Sequence, residues 1–395
     1  MKKYCFAIVA LGIAFALTSC HEDEEKVIPE GTANVTINEN NLDVTNANVN
    51  AWMTYAEAVA RLLKQDAEEL NYAWSVDFVK EKTSQGAFAE TFRNHDRAPY
   101  TSAVSCVQQI VDGCVDIASE VGTAKIGEPR DLWVAGKYTE AVYAVESWYS
   151  FHSIDDYANN IVSIRNAFNG SRKEGVEEEH SLARFTATKD PALYSNVKAK
   201  IDAAYNAIKH GMKAPFRSYI GSTTVVAAQE ACAALVDVLE NDLTKFVTAH
   251  ADDAELDAIV DTYVDEVVLP TYAALQEGNT NLYQAIIELQ KSPNTKNFEK
   301  AAQAWMVARE PWETSEAFLF GPVDELGLDP NMDSWPLDVD AIKDVLESGN
   351  IDKLIQWKEG DGEEQIEAVQ NVRGFHTLEF LLFRNGSPRV YEAKE

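Results

Sequence analysis

Cysteine is scarce and poorly placed for cross-linking. The five cysteines are Cys5, Cys20, Cys106, Cys114 and Cys232. Cys106 and Cys114 stand on one helical stretch, roughly 12 Å apart along an axis rising about 1.5 Å per residue, too far for a disulfide. No C-x-x-C pair occurs, so neither a dithiol redox site nor a zinc ribbon is supported. The three internal cysteines are expected as buried free thiols, with a bridge through Cys232 as the alternative. Basic residues are also short: 34 Lys and Arg face 64 Asp and Glu, a net charge of −30. Nucleic-acid phosphates are repelled by such a chain, so nucleic acid is excluded as a partner. The charge suits a solvated extracytoplasmic protein and one that handles cations. H-E-x-x-H, the P-loop, G-x-S-x-G and the dinucleotide fingerprint are all missing. So is any strict apolar/polar alternation that would mark a sheet.

What is there begins with an export signal. Lys2 and Lys3 precede an apolar run, Tyr4 to Leu17, too short to span a bilayer as a mature helix. Leu17-Thr18-Ser19-Cys20 closes it and resembles the lipobox of bacterial lipoproteins. That resemblance implies removal of residues 1–19, lipid on Cys20 and a membrane anchor. Acyl chains contribute about 0.8 kcal/mol per buried CH2. The implied location is the outer membrane, facing either the periplasm or the cell surface. The acidic run Glu22 to Glu25 resembles a surface-export signal. Residues 20–50 read as a polar tether.

The body reads as helices. Apolar residues recur at helical spacing over 51–82, 99–121, 131–168, 191–211, 222–249, 254–277, 279–290, 297–320 and 363–383. Asp190-Pro191 predicts a capped helix start, and Gly170 and Gly211 predict C-terminal caps. The fold class expected is all-α, with two four-helix-bundle-like domains over 51–220 and 221–395.

Three segments carry chemistry. In Gly374-Phe375-His376-Thr377-Leu378-Glu379, His376 and Glu379 share one helix face, where an imidazole nitrogen and a carboxylate can reach one cation. The apolar neighbours Phe375, Leu378 and Phe380 make a buried carboxylate costly without a compensating cation or donors. Gly374 lets a backbone approach closely. Taken alone, H-x-x-E is as well explained by a satisfied core pair. The second segment, Ala308 to Val323, places Arg309, Glu313 and Glu316 at i, i+4 and i+7 among large apolar residues. In the third, Ser150, Ser153, Asp156 and Asn160 form a polar stripe on one predicted helix.

Gly374-x-His376-x-x-Glu379 followed by Phe-Leu-Leu-Phe resembles the signature of imelysin-like proteins. Ala308 to Val323 resembles the family's other long motif, and Glu146 to Ile161 its Ser/Asp/Asn-rich stretch. The stretch precedes the G-x-H-x-x-E helix here, whereas it follows in the usual family order, so the resemblance implies circularly permuted halves. Phe151-His152-Ser153-Ile154-Asp155 echoes Phe375-His376-Thr377-Leu378-Glu379, which would fit a duplicated bundle and would make His152 a second imidazole near the site. The resemblance implies a metal ion, iron or zinc, held by His376 and Glu379 between two helical bundles. Arg309, Glu313, Glu316, Ser150, Ser153, Asp156, Asn160 and Gly374 would line the cleft. It also implies a role in iron uptake or metal homeostasis. The rivals are metallopeptidase activity, under which the family was named, and a structural or adhesive surface lipoprotein. H-x-x-E offers no base between its ligands, which favours binding over turnover.

Overall fold

The computed structural model describes residues 28–37, 42–357 and 361–392. The expected leader, Cys20 and the acidic run after it lie outside the described residues. Among those described, helices dominate. Strands are confined to two short hairpins, Val79–Lys80 with Thr83–Ser84 and Phe383–Arg384 with Ser387–Pro388. The all-α expectation holds. Cys106, Cys114 and Cys232 are buried free thiols.

The first long helix, α1 (Val49–Ser75), buries Trp52, Tyr55, Val59, Leu63, Leu70 and Trp74 along one stripe. Each large apolar side chain so buried contributes roughly 1.5–3 kcal/mol. It stops at Ser75, seven residues short of the expected Lys82. Glu81 and Lys82 instead form a left-handed turn (φ 49° and 64°), and Asp77 Oδ1 accepts from Ser84 Oγ at 2.7 Å. The following helices are α2 (Ala103–Glu120), α3 (Ser153–Asn169) and α4 (Pro191–Asn206). Next come α5 (Thr223–Asp237), α6 (Glu255–Tyr263), α7 (Leu269–Lys291) and α8 (Thr295–Glu313). Two short helices, α9 (Leu328–Asp333) and α10 (Gly374–Leu382), complete the site. Asp190 caps α4 as expected, accepting from Leu193 N at 3.0 Å. Gly170 ends α3 in the left-handed region (φ 63°). Gly211 does not act as a cap; it closes a π-turn, and the extended Met212 follows.

The packing does not follow the expected division at residue 220/221. Helix α1 lies against α7 and α10, and α8 lies against α7 and α10. Helix α5 instead packs on α2 and α4, and α3 on α2, α4 and α8. The α6–α7 segment, joined by a π-turn (Val264–Val268) rather than interrupted near 278, touches both groups.

Three expected helices are broken, and the breaks matter most for function. The 131–168 run divides into Gly127–Val134, Tyr138–Tyr143 and α3, with Gly136 left-handed (φ 83°) and a turn over 145–152. The 297–320 run ends at Glu313, two residues past Pro311, and a 3-10 turn (Glu316–Phe318) follows. The 363–383 run breaks before Gly374 (φ 83°), where α10 begins. Ser150 therefore sits in a turn rather than on the helix of Ser153, Asp156 and Asn160. Glu316 likewise lies beyond the helix of Arg309 and Glu313.

Candidate metal centre

His376 sits in the first turn of α10, whose backbone is clamped by the core. Trp305 Nε1 donates to Phe375 O at 2.9 Å, Trp52 Nε1 to Leu381 O at 2.9 Å, and Tyr55 Oη to Val372 O at 2.6 Å. A Cβ at Gly374 would stand 2.4 Å from Met332 O, so only glycine lets the start of α10 press on the end of α9. That contact brings Asp333 to His376. The two ring nitrogens face different partners. Nε2 lies 3.1 Å from Asp333 Oδ1 and 3.6 Å from Glu146 Oε1, whereas Nδ1 lies 3.3 Å from Glu379 Oε2. The Trp335 ring covers the imidazole at 4.7 Å between centroids.

Glu379 is fully buried, and the 145–152 turn satisfies it. Its Oε1 accepts from Ser150 N at 2.7 Å and from Ser150 Oγ at 2.8 Å. To reach it the turn places two non-glycine residues, Ser147 (φ 50°) and Phe151 (φ 64°), in the left-handed region. Ser147 Oγ donates to Asp156 Oδ2, and Ser153 Oγ donates to Glu146 O. The turn thus fixes Glu146 from both ends.

Arg309 is the buried cation of the site. It pairs with Asp333, and its Nη2 lies 2.5 Å from Glu313 Oε1. Its Nε is 3.7 Å from Asp156 Oδ2, and its guanidinium stands 5.2 Å from the centre of the Phe375 ring. Asn160 Nδ2 donates to Glu313 Oε2 at 2.6 Å, joining α3 to α8. A second buried cation, Lys125, ends the π-turn Val121–Lys125; its Nζ lies 3.2 Å from Glu146 Oε2 and 3.6 Å from Glu316 Oε1.

Enclosing so many carboxylates separates their titration. Burial raises Asp156 to about 7, with Arg309 only partly offsetting it. Burial likewise raises Glu313 to about 8 against Arg309, and Asp329 to about 7 with Asp333 adding to the effect. Glu316 is held well above the usual carboxylate range by burial, despite Lys125. At Glu146 burial is outweighed by Lys125 and His376, and the group falls to about 2. Asp333 is driven well down, Arg309 and His376 outweighing its burial. His376 is held well above its usual range: burial and Arg309 oppose its charge, but Asp333 and Glu146 prevail.

These groups form two constellations of metal-ligating atoms, each within 4.8 Å: Glu146, Asp333 and His376, and Glu313, Glu316 and Asp333. One imidazole nitrogen with two carboxylates is a donor set that zinc and ferrous iron accept. The buried oxygens Glu146 Oε2, Asp156 Oδ1 and Glu313 Oε1 accept no directed hydrogen bond, their cation neighbours lying off the N–H axes or beyond reach. A cavity of about 240 Å³ opens beside the site, lined by Lys125, Glu146, Glu316, Asp329, Asp333 and Trp335, with the exposed Glu120 and Glu128 at its rim.

The sequence profile of the imelysin family matches residues 33–243 and 268–394. The chain belongs to the imelysin family. It is 50% identical to an imelysin peptidase from Bacteroides ovatus of known crystal structure, covering 89% of this chain and 99% of that one, with a TM-score of 0.86. It is also 37% identical over 128 residues to iron-regulated protein A of Synechococcus elongatus. That match covers 32% of each chain, so it spans about a third of the relative's length.

In this chain the residues singled out from the sequence lie close together. His376, Glu379, Arg309, Glu313, Glu316, Ser150, Ser153, Asp156 and Asn160 are all buried around one centre, and Gly374 shapes it. His376 and Glu379 are direct neighbours on one face of α10. The i+3 carboxylate of Glu379 lies 3.3 Å from Nδ1, while Nε2 faces Asp333 and Glu146. His152 borders the cluster, with Nδ1 3.3 Å from Asp155 and Nε2 3.9 Å from Asp156. Sequence reasoning missed Glu146, Asp333, Lys125, Asp329 and Trp335. Glu146 heads the Ser/Asp/Asn-rich stretch, and its lone charge before a polar stripe was a usable signal. Asp333 and Lys125 lie in segments with no motif.

Proposed function

We propose that this protein binds a divalent cation, zinc or ferrous iron, on His376 Nε2, Glu146 and Asp333. Glu379 fixes the imidazole from the opposite nitrogen. The carrying observation is the buried convergence of one imidazole and two carboxylates from three separate segments. A carboxylate behind a ligating histidine is the usual outer support of such a ligand, setting its tautomer and orientation. Arg309, Glu313, Asp156 and Asn160 hold the framework, and Ser150 and Ser153 hold the turn that carries Glu146.

The role we infer is metal homeostasis at the cell envelope, iron uptake foremost, in line with the name of the iron-regulated relative. Cys20 would be the lipid anchor to the outer membrane. The permuted order of the halves, and their origin by duplication, rest on motif order and the short internal echo alone. Elemental analysis of the purified protein, with zinc and ferrous-iron titrations of the wild type and His376→Ala, tests the reading. A bound ion whose affinity drops at least about tenfold in the variant supports it. Wild-type affinity in the variant rejects it. Release of Cys20→Ser into the soluble fraction tests the anchor, and unchanged membrane association rejects it.

A further inference from the structure

We propose that Trp335 is a positioning residue of the metal centre. It ties together the three chain segments that carry Asp333, Glu146 and His376, and so sets how their ligand atoms stand around one cation. The inference rests on the reading that these three residues bind metal.

One indole touches all three segments. Trp335 stands two residues beyond Asp333, in the irregular link between α9 and the helix Val339–Ser348. Its Nε1 donates to Ala144 O at 3.1 Å, two residues before Glu146. Its ring lies against the His376 imidazole, 4.7 Å between centroids, with the planes tilted by 59°. Ala144 follows the last residue of the short helix Tyr138–Tyr143, where carbonyls run out of helical partners, so the indole N–H fills a place that the helix leaves open.

The link after Asp333 needs such a tie. Among the described residues, the backbone from Ser334 to Leu337 enters no backbone–backbone hydrogen bond, so side chains fix its course. Arg309 and Trp312 hold the Asp333 carboxylate from α8, and Trp335 extends that hold to the backbone before Glu146. At the imidazole it complements Glu379: the carboxylate sets the direction of Nδ1, and the indole limits the tilt of the ring.

What is held is a spacing that suits a metal. Ligand atoms bound to a tetrahedral zinc ion at about 2.0–2.2 Å stand roughly 3.3–3.6 Å from one another. His376 Nε2 lies 3.1 Å from Asp333 Oδ1 and 3.6 Å from Glu146 Oε1, so little movement separates the ion-free arrangement from a coordinating one. Loosening the tie lets the segments drift apart, and the ion must then gather them again at a cost in affinity.

The test uses the full chain, freed of metal with a chelator, as wild type, Trp335→Phe and Trp335→Ala. Zinc affinity is measured by competition with a chromophoric chelator, and the absorption spectrum of the cobalt(II)-loaded protein reports the ligand geometry. Phenylalanine keeps a ring for His376 but has no N–H for Ala144, and alanine loses both. Affinity is expected to fall by about threefold in Trp335→Phe, the worth of one hydrogen bond. It is expected to fall by at least about tenfold in Trp335→Ala, with an altered cobalt spectrum at saturation. A side chain that only stabilised the fold would lower the urea midpoint of the metal-free protein and leave zinc affinity and the cobalt spectrum at wild-type values. That result, alongside a large loss in His376→Ala, overturns this inference and leaves the metal centre standing. No zinc bound by the wild type overturns the reading of the centre, and this inference with it. Should Trp335→Ala not fold, as judged by circular dichroism, Trp335→Phe decides: weaker zinc binding supports the proposal, and wild-type affinity rejects it.

Discussion

Glu379 divides its carboxylate between Ser150 and His376: Oε1 accepts from Ser150 N at 2.7 Å and Oγ at 2.8 Å, and Oε2 stands 3.3 Å from His376 Nδ1. One side chain thereby sets the imidazole and pins the turn that begins with Glu146. In Glu379→Gln the amide oxygen can still accept from Ser150, but the NH2 then faces Nδ1. The ring must accept there and carry its proton on Nε2, the nitrogen needed for a metal. We expect Glu379→Gln to fold and to lower zinc affinity roughly 10–100-fold, measured by competition with a chromophoric chelator. Unchanged affinity would remove the orienting role. A loss equal to that in His376→Ala would make Glu379 a ligand itself.

The metal-free protein should lose stability as pH rises. Glu313, ordinarily near 4.5, sits at about 8 in the fold, and Asp156 and Asp329, ordinarily near 3.8, at about 7. A folded value above the unfolded one gives stability that is complete below the unfolded value and is lost as pH rises through the folded one. His376, held well above 6.5, acts in the same direction. Glu146, at about 2, and Asp333, lower still than usual, keep their contribution until strongly acid pH. His152, pushed down by burial, opposes the trend as a single, partly exposed group. Calorimetry on chelator-treated protein should show Tm falling from about pH 5 to pH 8. Saturating zinc should flatten that fall, because the ion replaces the protons. A rising metal-free Tm over the same range would refute the account.

Gly374→Ala should be costly far beyond a surface change. The position combines φ 83° with a Cβ that would stand 2.4 Å from Met332 O and 3.0 Å from Asn331 O. Left-handed strain and backbone overpacking together are worth about 2–4 kcal/mol. Urea denaturation measures it; a change under about 0.5 kcal/mol, the ordinary surface range, would show that α9 can retreat freely.

Much of this was legible in the chain, and what was not has a physical cause. Helical periodicity marks α1, α2 and α8 because one stripe of each is buried. The same periodicity runs through the breaks at 145–152 and 371–373, since an apolar pattern does not register a left-handed residue such as Ser147 or Phe151. Those breaks aim Ser150 and His376 at each other's neighbourhood. H-x-x-E marks the centre, but the partners of His376 Nε2 come from residues 146 and 333, each distant in sequence from the motif. Only tertiary packing around Gly374 assembles them.

The last prediction is that metal-loaded protein does not cleave polypeptides, although its crystallised relative is described as a peptidase. Ligand count does not decide the matter, because His376, Glu146 and Asp333 match the three protein ligands of a catalytic zinc site. Access does. His376 and Glu379 are fully buried, and Trp335 covers the imidazole. The adjoining cavity of about 240 Å³ is lined mainly by charged side chains, among them Lys125, Glu146, Glu316, Asp329 and Asp333. The Lys125 ammonium stands at Glu146 and borders that cavity. A hydrolase must bring carbonyl, metal and activated water within about 3–3.5 Å of one another, and a cation needs no such room. Zinc-loaded protein incubated with an unfolded polypeptide should therefore release no more fragments, by mass spectrometry, than metal-free protein. Cleavage that requires zinc and vanishes in a folded His376→Ala variant would show that the buried centre opens to substrate and that the peptidase reading is the right one.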